Sequence, residues 1–142
     1  MELLSIIGSL ASIASLAVQF GVLRYADGSV NIHAAIEGIR NRLTTSQQEA
    51  LKIDGAAEFI SILVIDPELL SDINKAIQLC IKRYRDRLQS GKSQAEREVA
   101  DRQAERCVCE NLNRVRRRNG GSLPGEMEKW WIQYRCISDF DY

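Results

Sequence analysis

The sequence has few of the residues that enzymes use for catalysis. It contains a single histidine, His33, and only two prolines, and its formal net charge is zero. It shows no pair of carboxylates on a common helical face, no glycine-rich phosphate loop and no nucleophile elbow. The Arg-polar-x-x-x-His pattern of helical ribonucleases begins at Arg40-Asn41, but Thr45 occupies the position of its histidine. We therefore expect a protein that is not an enzyme and that holds no cofactor or metal.

The scarcity of proline and the clear helix signals predict an all-α fold. A chain of 142 residues suggests one domain, and the pattern predicts a bundle of five to seven helices. Within it we distinguish an apolar segment, residues 1–23, from an amphipathic helical body, residues 31–142.

Helix boundaries in the body follow from capping residues. Thr44 with Gln47 or Gln48 predicts a capping box, and Gly55 suits a left-handed helix end. Asp66-Pro67 predicts the start of a long helix that ends near Gln89. Ser93 with Glu96 predicts the start of the next helix, which runs to about Arg118. A last helix is predicted after Pro124-Gly125. Residues 56–65 are strongly apolar and predict a buried core helix.

The N-terminal segment has no charge between residues 3 and 23. As a helix it would be about 31 Å long, close to the hydrocarbon thickness of a bilayer. A signal peptide needs a basic start, whereas the only early charge is Glu2, so we expect the segment to be retained. It is either the central helix of a bundle or a helix that enters a membrane.

One face of this first helix carries small or weakly polar residues, and the rest is apolar. Spacings of three and four residues place the small and polar side chains on one seam: Ser5, Gly8, Ser12, Ser15 and Gln19. The apolar face consists of Leu3, Leu4, Ile6, Ile7, Leu10, Ile13, Leu16 and Phe20. Small residues let helices approach closely in lipid, so we predict that the seam mediates oligomer contacts or lines a pore.

Basic residues are concentrated in the middle of the chain. Residues 82–118 hold 12 basic and 6 acidic side chains. Two clusters are predicted to contact anionic lipid: Lys82, Arg83, Arg85 and Arg87, and then Arg114, Arg116, Arg117 and Arg118. The alternative is a solvated face, favoured by the helix dipole. Nucleic acid is not an expected partner, because only Tyr84 lies among the basic residues.

The cysteines and tryptophans allow more than one interpretation. Cys80, Cys107, Cys109 and Cys136 do not resemble a short, loop-rich secreted scaffold, so we interpret them as reduced thiols. The alternative is a zinc site. It is disfavoured because Cys107 and Cys109 would point about 200° apart on a helix and could not bind the same ion. Trp130-Trp131 is typical of core packing, with an interfacial anchor or a docking surface as alternatives.

The segment Leu4–Leu16, LSIIGSLASIASL, resembles the opening helix of HeLo-like cell-death domains, including the bacterial "Bell" domains of antiphage systems. The resemblance covers roughly the first 20 residues. It implies a helical bundle whose first helix is released on activation, after which the chains oligomerise and permeabilise a membrane. It also implies a separate sensor or activating protein.

Together these observations predict a non-enzymatic, membrane-disrupting effector of cell death or antiphage defence. Its partners would be membrane lipid and copies of itself, and it would move from the cytoplasm to the inner or plasma membrane. Two alternatives remain. One is a soluble helical adaptor with the first helix buried, and the other is a small membrane subunit with a single span.

Overall fold

The computed structural model describes residues 2–20, 25–26, 29–91 and 93–136. The described residues form seven α-helices: α1 Glu2–Gln19, α2 Ile32–Ile39, α3 Thr45–Ala50, α4 Ala56–Val64, α5 Pro67–Ser90, α6 Gln94–Arg118 and α7 Glu126–Gln133. A turn of 3-10 helix, Arg40–Arg42, extends α2. Strands β1 Tyr25–Ala26 and β2 Ser29–Val30 form a minimal antiparallel pair. The predicted all-α bundle is confirmed.

The helix starts follow the predicted capping residues. Thr44 and Gln47 form a reciprocal capping box at α3. The Asp66 carboxylate accepts the Leu69 backbone N–H, with Pro67 in the first turn of α5, and the Ser93 hydroxyl accepts the N–H of Glu96 at α6. These local hydrogen bonds satisfy donors that a helix start leaves unpaired.

Helix α1 lies at the centre of the bundle and packs against α2, α3, α4, α5 and α6. Its buried hydrophobic residues are at most 1% exposed: Leu4, Ile7, Leu10, Ala11, Ile13, Ala14 and Ala17. The helix ends at Gln19, four residues before the predicted end of the apolar segment. Residues 21–23, the end of that segment, lie outside the described residues.

The cysteines are paired, so the prediction of reduced thiols is wrong. Cys80 of α5 is bonded to Cys107 of α6, and Cys109 of α6 is bonded to Cys136 after α7. The Cα–Cα distances are 6.5 and 5.1 Å, within the range that a disulfide requires. The two α6 cysteines point in different directions, as their spacing predicts. For that reason each reaches a different partner rather than a shared metal.

Two glycines allow the loop before α7 to cross the turn before α4. Gly55 has φ +90° and Gly125 has φ +51°, a region that side chains disfavour. A Cβ on Gly55 would lie 2.6 Å from the Pro124 carbonyl oxygen. The Glu126 N–H donates to the Asp54 carbonyl across this crossing at 2.9 Å. The left-handed conformation predicted for Gly55 is confirmed, and it permits direct backbone contact. Gly55 does not end the preceding helix, however, because α3 stops at Ala50 and Gly55 caps the start of α4.

Candidate functional site

The predicted seam of α1 is in part an internal packing surface. Gly8 is buried, and a Cβ there would lie 3.1 Å from Ile77 Cγ2 and 3.2 Å from Ile81 Cδ1 of α5. The Asn74 side-chain amide donates to the Ser15 hydroxyl at 2.6 Å. Gly8 and Ser15 therefore hold α1 against α5 within one chain. Of the other seam residues, Ser12 is half-buried and Ser5 and Gln19 are exposed.

The predicted membrane face of α1 is largely core. Leu4, Ile7, Leu10 and Ile13 are buried, and Leu3, Ile6 and Leu16 pack partly buried against the same core. Phe20 is 40% exposed, and the Arg42 guanidinium lies 3.9 Å from its ring centroid. Such a cation–π contact covers one face of the ring.

The second basic cluster makes several contacts within the chain. Arg114 donates to the Asn111 side-chain oxygen at 3.1 Å. The Arg116 guanidinium lies 3.9 Å from the Trp131 ring centroid, and Arg118 pairs with Asp66 at 2.9 Å. Arg117 is exposed. Three of the four predicted lipid-contact residues here thus have structural partners.

The tryptophans belong to the core, as the packing interpretation predicts. Trp130 and Trp131 are buried, and the Trp131 indole N–H donates to the Asn113 side-chain oxygen at 2.7 Å. Among the described residues, Asn113 Nδ2 and Arg116 Nε are buried without a hydrogen-bond partner. This polar cluster fixes α7 on α6.

The first basic cluster is exposed on α5, and two of its members face a groove between α5 and α6. Arg83 and Arg87 lie one turn apart and line the groove, whereas Lys82 and Arg85 do not. Helix α6 adds Arg106, which the sequence analysis missed. The signal was indirect: Arg106 precedes Cys107, and the packing of α6 on α5, which the Cys80–Cys107 bond crosses, brings it to the groove that Arg83 lines.

The groove exists because its floor is made of small side chains. The floor consists of Ala100, Ala104 and the Cys80–Cys107 disulfide, and the cleft has a volume of about 310 Å³. Ala100, Ala104 and Cys107 are buried. Gln103 and Glu110 complete the α6 wall. We name this cleft the arginine groove.

A tyrosine bridges the two helices at this groove. The Tyr84 hydroxyl of α5 donates to the Asp101 carboxylate of α6 at 2.7 Å. This hydrogen bond, together with burial and the negative charge of Asp101, raises the pKa of Tyr84 above its ordinary value of 10.0. At neutral pH Tyr84 therefore remains a donor that fixes the spacing of the helices.

The described residues contain no group of three or more metal-ligating side chains. The four cysteines are held in disulfides, so they offer no thiolate for the zinc site weighed above. His33 is exposed on α2. Within the described part of the chain, no helix combines the length and apolarity needed to cross a membrane.

Comparisons with known proteins find no match among protein-family models, curated proteins or solved structures. Any functional proposal therefore rests on the residues of this chain.

Proposed function

We propose that the chain is a non-enzymatic interaction module, a helical bundle that keeps α1 in its core and binds partners through its surface. The observation that supports this proposal is the position of α1, which packs against five other helices. A helix packed in this way is apolar over most of its surface for a structural reason.

The energy of burial also supports a closed bundle. Leu4, Ile7, Leu10 and Ile13 are each at most 1% exposed, and burying such side chains stabilises a fold by about 1.5–3 kcal/mol each. Removing α1 would cost about 6–12 kcal/mol for these four alone. This approaches the whole stability of a typical domain, about 5–15 kcal/mol. Exposing α1 to water would thus cost about as much as unfolding the bundle, so α1 leaves the core only if another apolar environment, such as lipid, receives it.

Hydrogen–deuterium exchange of the full chain, with and without anionic vesicles, tests this proposal. We expect the α1 amides to exchange as slowly as the central α5 amides in both conditions, with no release of dye from the vesicles. Loss of α1 protection together with dye release would contradict the proposal. The same preparation tests the single-span alternative, because a constitutively inserted α1 would require detergent throughout purification.

A second candidate is the membrane-disrupting effector, and one observation favours it. Helix α1 carries no charge after Glu2, and both disulfides lie between α5 and Cys136, so neither fastens α1 to the bundle. In this candidate, a separate activating protein releases α1, and copies of the chain assemble in the membrane through Ser5, Gly8, Ser12, Ser15 and Gln19. The arginines of α5 and α6 then contact anionic headgroups.

Substitution of Ser9 distinguishes the two candidates. Ser9 is half-buried in an open cleft between α1 and α3 that Glu49 also lines, so the bundle accommodates lysine. In a membrane-inserted α1, lysine near the centre costs about 2.5–3.5 kcal/mol. The effector candidate predicts that wild type and Ser9→Ala release dye and that Ser9→Lys does not. Absence of release from all three proteins counts against insertion that needs no activating protein.

A further inference from the structure

We propose that the arginine groove binds a phosphate group, with Arg83 and Arg87 of α5 as its principal contacts and Arg106 of α6 on the opposite wall. The inference is independent of whether α1 stays in the core, because the groove lies between α5 and α6. It adds a ligand class and a site to the proposed function.

Arg83 and Arg87 carry like charges four residues apart on α5. Residues four apart on a helix are neighbours, and like charges there destabilise the helix by about 0.2–0.5 kcal/mol. Neither arginine belongs to any ion pair formed by the described residues. Both are exposed and face the same cleft. A bound anion would offset their repulsion.

The lining of the groove is positively charged. Three arginines and Glu110 give the groove a formal charge of +2. A phosphate monoester carries about −1.5 to −2 at neutral pH, which matches this charge better than a single carboxylate does. Asp101 lies outside the lining and already accepts the Tyr84 hydroxyl.

The groove has the hydrogen-bond donors and the space that a phosphate group requires. Guanidinium groups are planar forks that bind phosphate oxygens through paired hydrogen bonds. The small floor residues Ala100 and Ala104 leave a cleft of about 310 Å³ between the walls, enough space for a phosphate and part of the group that bears it. Gln103 supplies an additional amide donor on the α6 wall.

A free phosphate compound and a lipid headgroup offer the same chemistry, so the test has two arms. Full-length protein is titrated with inorganic pyrophosphate by calorimetry, and sedimented with phosphatidylcholine vesicles that contain or lack phosphatidic acid. Citrate serves as the carboxylate comparison. The groove variant is Arg83→Gln/Arg87→Gln. The matched control is Lys82→Gln/Arg85→Gln, which removes the same charge from the same turns of α5 outside the groove.

We expect wild type and the control variant to bind pyrophosphate, phosphatidic acid vesicles or both, and the groove variant to bind about tenfold more weakly for each arginine removed. Binding to pyrophosphate identifies a free ligand, and binding to vesicles alone identifies a headgroup. All four substituted side chains are exposed, so unchanged circular dichroism melts should accompany the loss. Three outcomes would overturn the proposal: no binding in either arm, equal loss in both variants, or citrate binding as tight as pyrophosphate.

Discussion

At the scale of single residues, Tyr84 makes the stability of the α5–α6 packing depend on pH. Its pKa is raised by the hydrogen bond to Asp101. The stabilisation is therefore complete below pH 10, the ordinary tyrosine pKa, and is lost as pH rises through the higher folded value. Above that value, tyrosinate and carboxylate repel each other.

Tyr84→Phe should therefore lower stability at pH 7 and remove this loss at high pH. Absorbance titration of tyrosinate gives a direct measurement, because the substitution should delete a component that ionises above pH 10. Urea unfolding at neutral and high pH gives the corresponding stability difference. An unchanged high-pH component in the variant would show that another tyrosine carries the raised pKa.

Gly8 and Gln19 belong to the same predicted seam but have different environments. Gly8 has no room for a larger side chain beside Ile77 and Ile81, whereas Gln19 is exposed. We expect Gly8→Leu to lower the free energy of unfolding by about 1–3 kcal/mol through overpacking, with Gln19→Leu near neutral. Urea unfolding of the two variants measures this difference. Equal effects would contradict the packing assigned to Gly8.

At the scale of elements, Asp66 combines two roles at the start of α5. One carboxylate oxygen accepts the Leu69 N–H at 3.0 Å, and the other accepts from Arg118 at 2.9 Å. Loss of an N-cap costs about 0.5–2 kcal/mol. The ion pair contributes less, because the Arg118 side chain is 49% exposed.

Asp66→Ala should accordingly cost about 1–2 kcal/mol of unfolding free energy, while Asp66→Asn should retain most of the stability, since asparagine caps as well as aspartate. Chemical denaturation at low and moderate salt measures both variants. If Asn were as harmful as Ala, the contact with Arg118 rather than the cap would be the dominant interaction.

The same elements show what the sequence alone allows to be predicted. The side chains of Thr44, Asp66 and Ser93 each accept the backbone N–H of the residue three positions later. Because these contacts are local, the sequence pattern alone predicts where the three helices begin. The end of α1 was predicted at residue 23 from the absence of charge, which measures polarity and not helix length. Arg106 was missed because its relation to Arg83 depends on tertiary packing.

At the scale of the whole molecule, the chain combines a part linked by disulfides with a part held by non-covalent contacts. The disulfides connect α5, α6 and Cys136, and both involve α6 cysteines two residues apart. The cysteines were interpreted as reduced because the chain does not resemble secreted scaffolds, which are short and loop-rich. In a helical bundle, however, which cysteines can reach each other depends on which helix faces pack together, and the sequence does not show this directly.

Removal of the disulfides should lower stability without changing the fold. Each bond joins residues separated by 27 positions, and closing such a loop stabilises a protein by about 3–4 kcal/mol in the chain-entropy view. We expect the double variants Cys80→Ala/Cys107→Ala and Cys109→Ala/Cys136→Ala each to lose about 2–4 kcal/mol in urea unfolding.

Reduction of the wild-type protein tests the same two disulfides without substitution. Excess dithiothreitol should destabilise the wild type and leave a variant with all four cysteines replaced by alanine unchanged. Cys107, Cys109 and Cys136 are buried, so free thiols must be counted after denaturation, where the oxidised protein should show none. Four thiols in freshly purified, denatured protein, with no response to reductant, would restore the reduced interpretation. The stability of α5–α6 would then rest on packing and the Tyr84–Asp101 hydrogen bond.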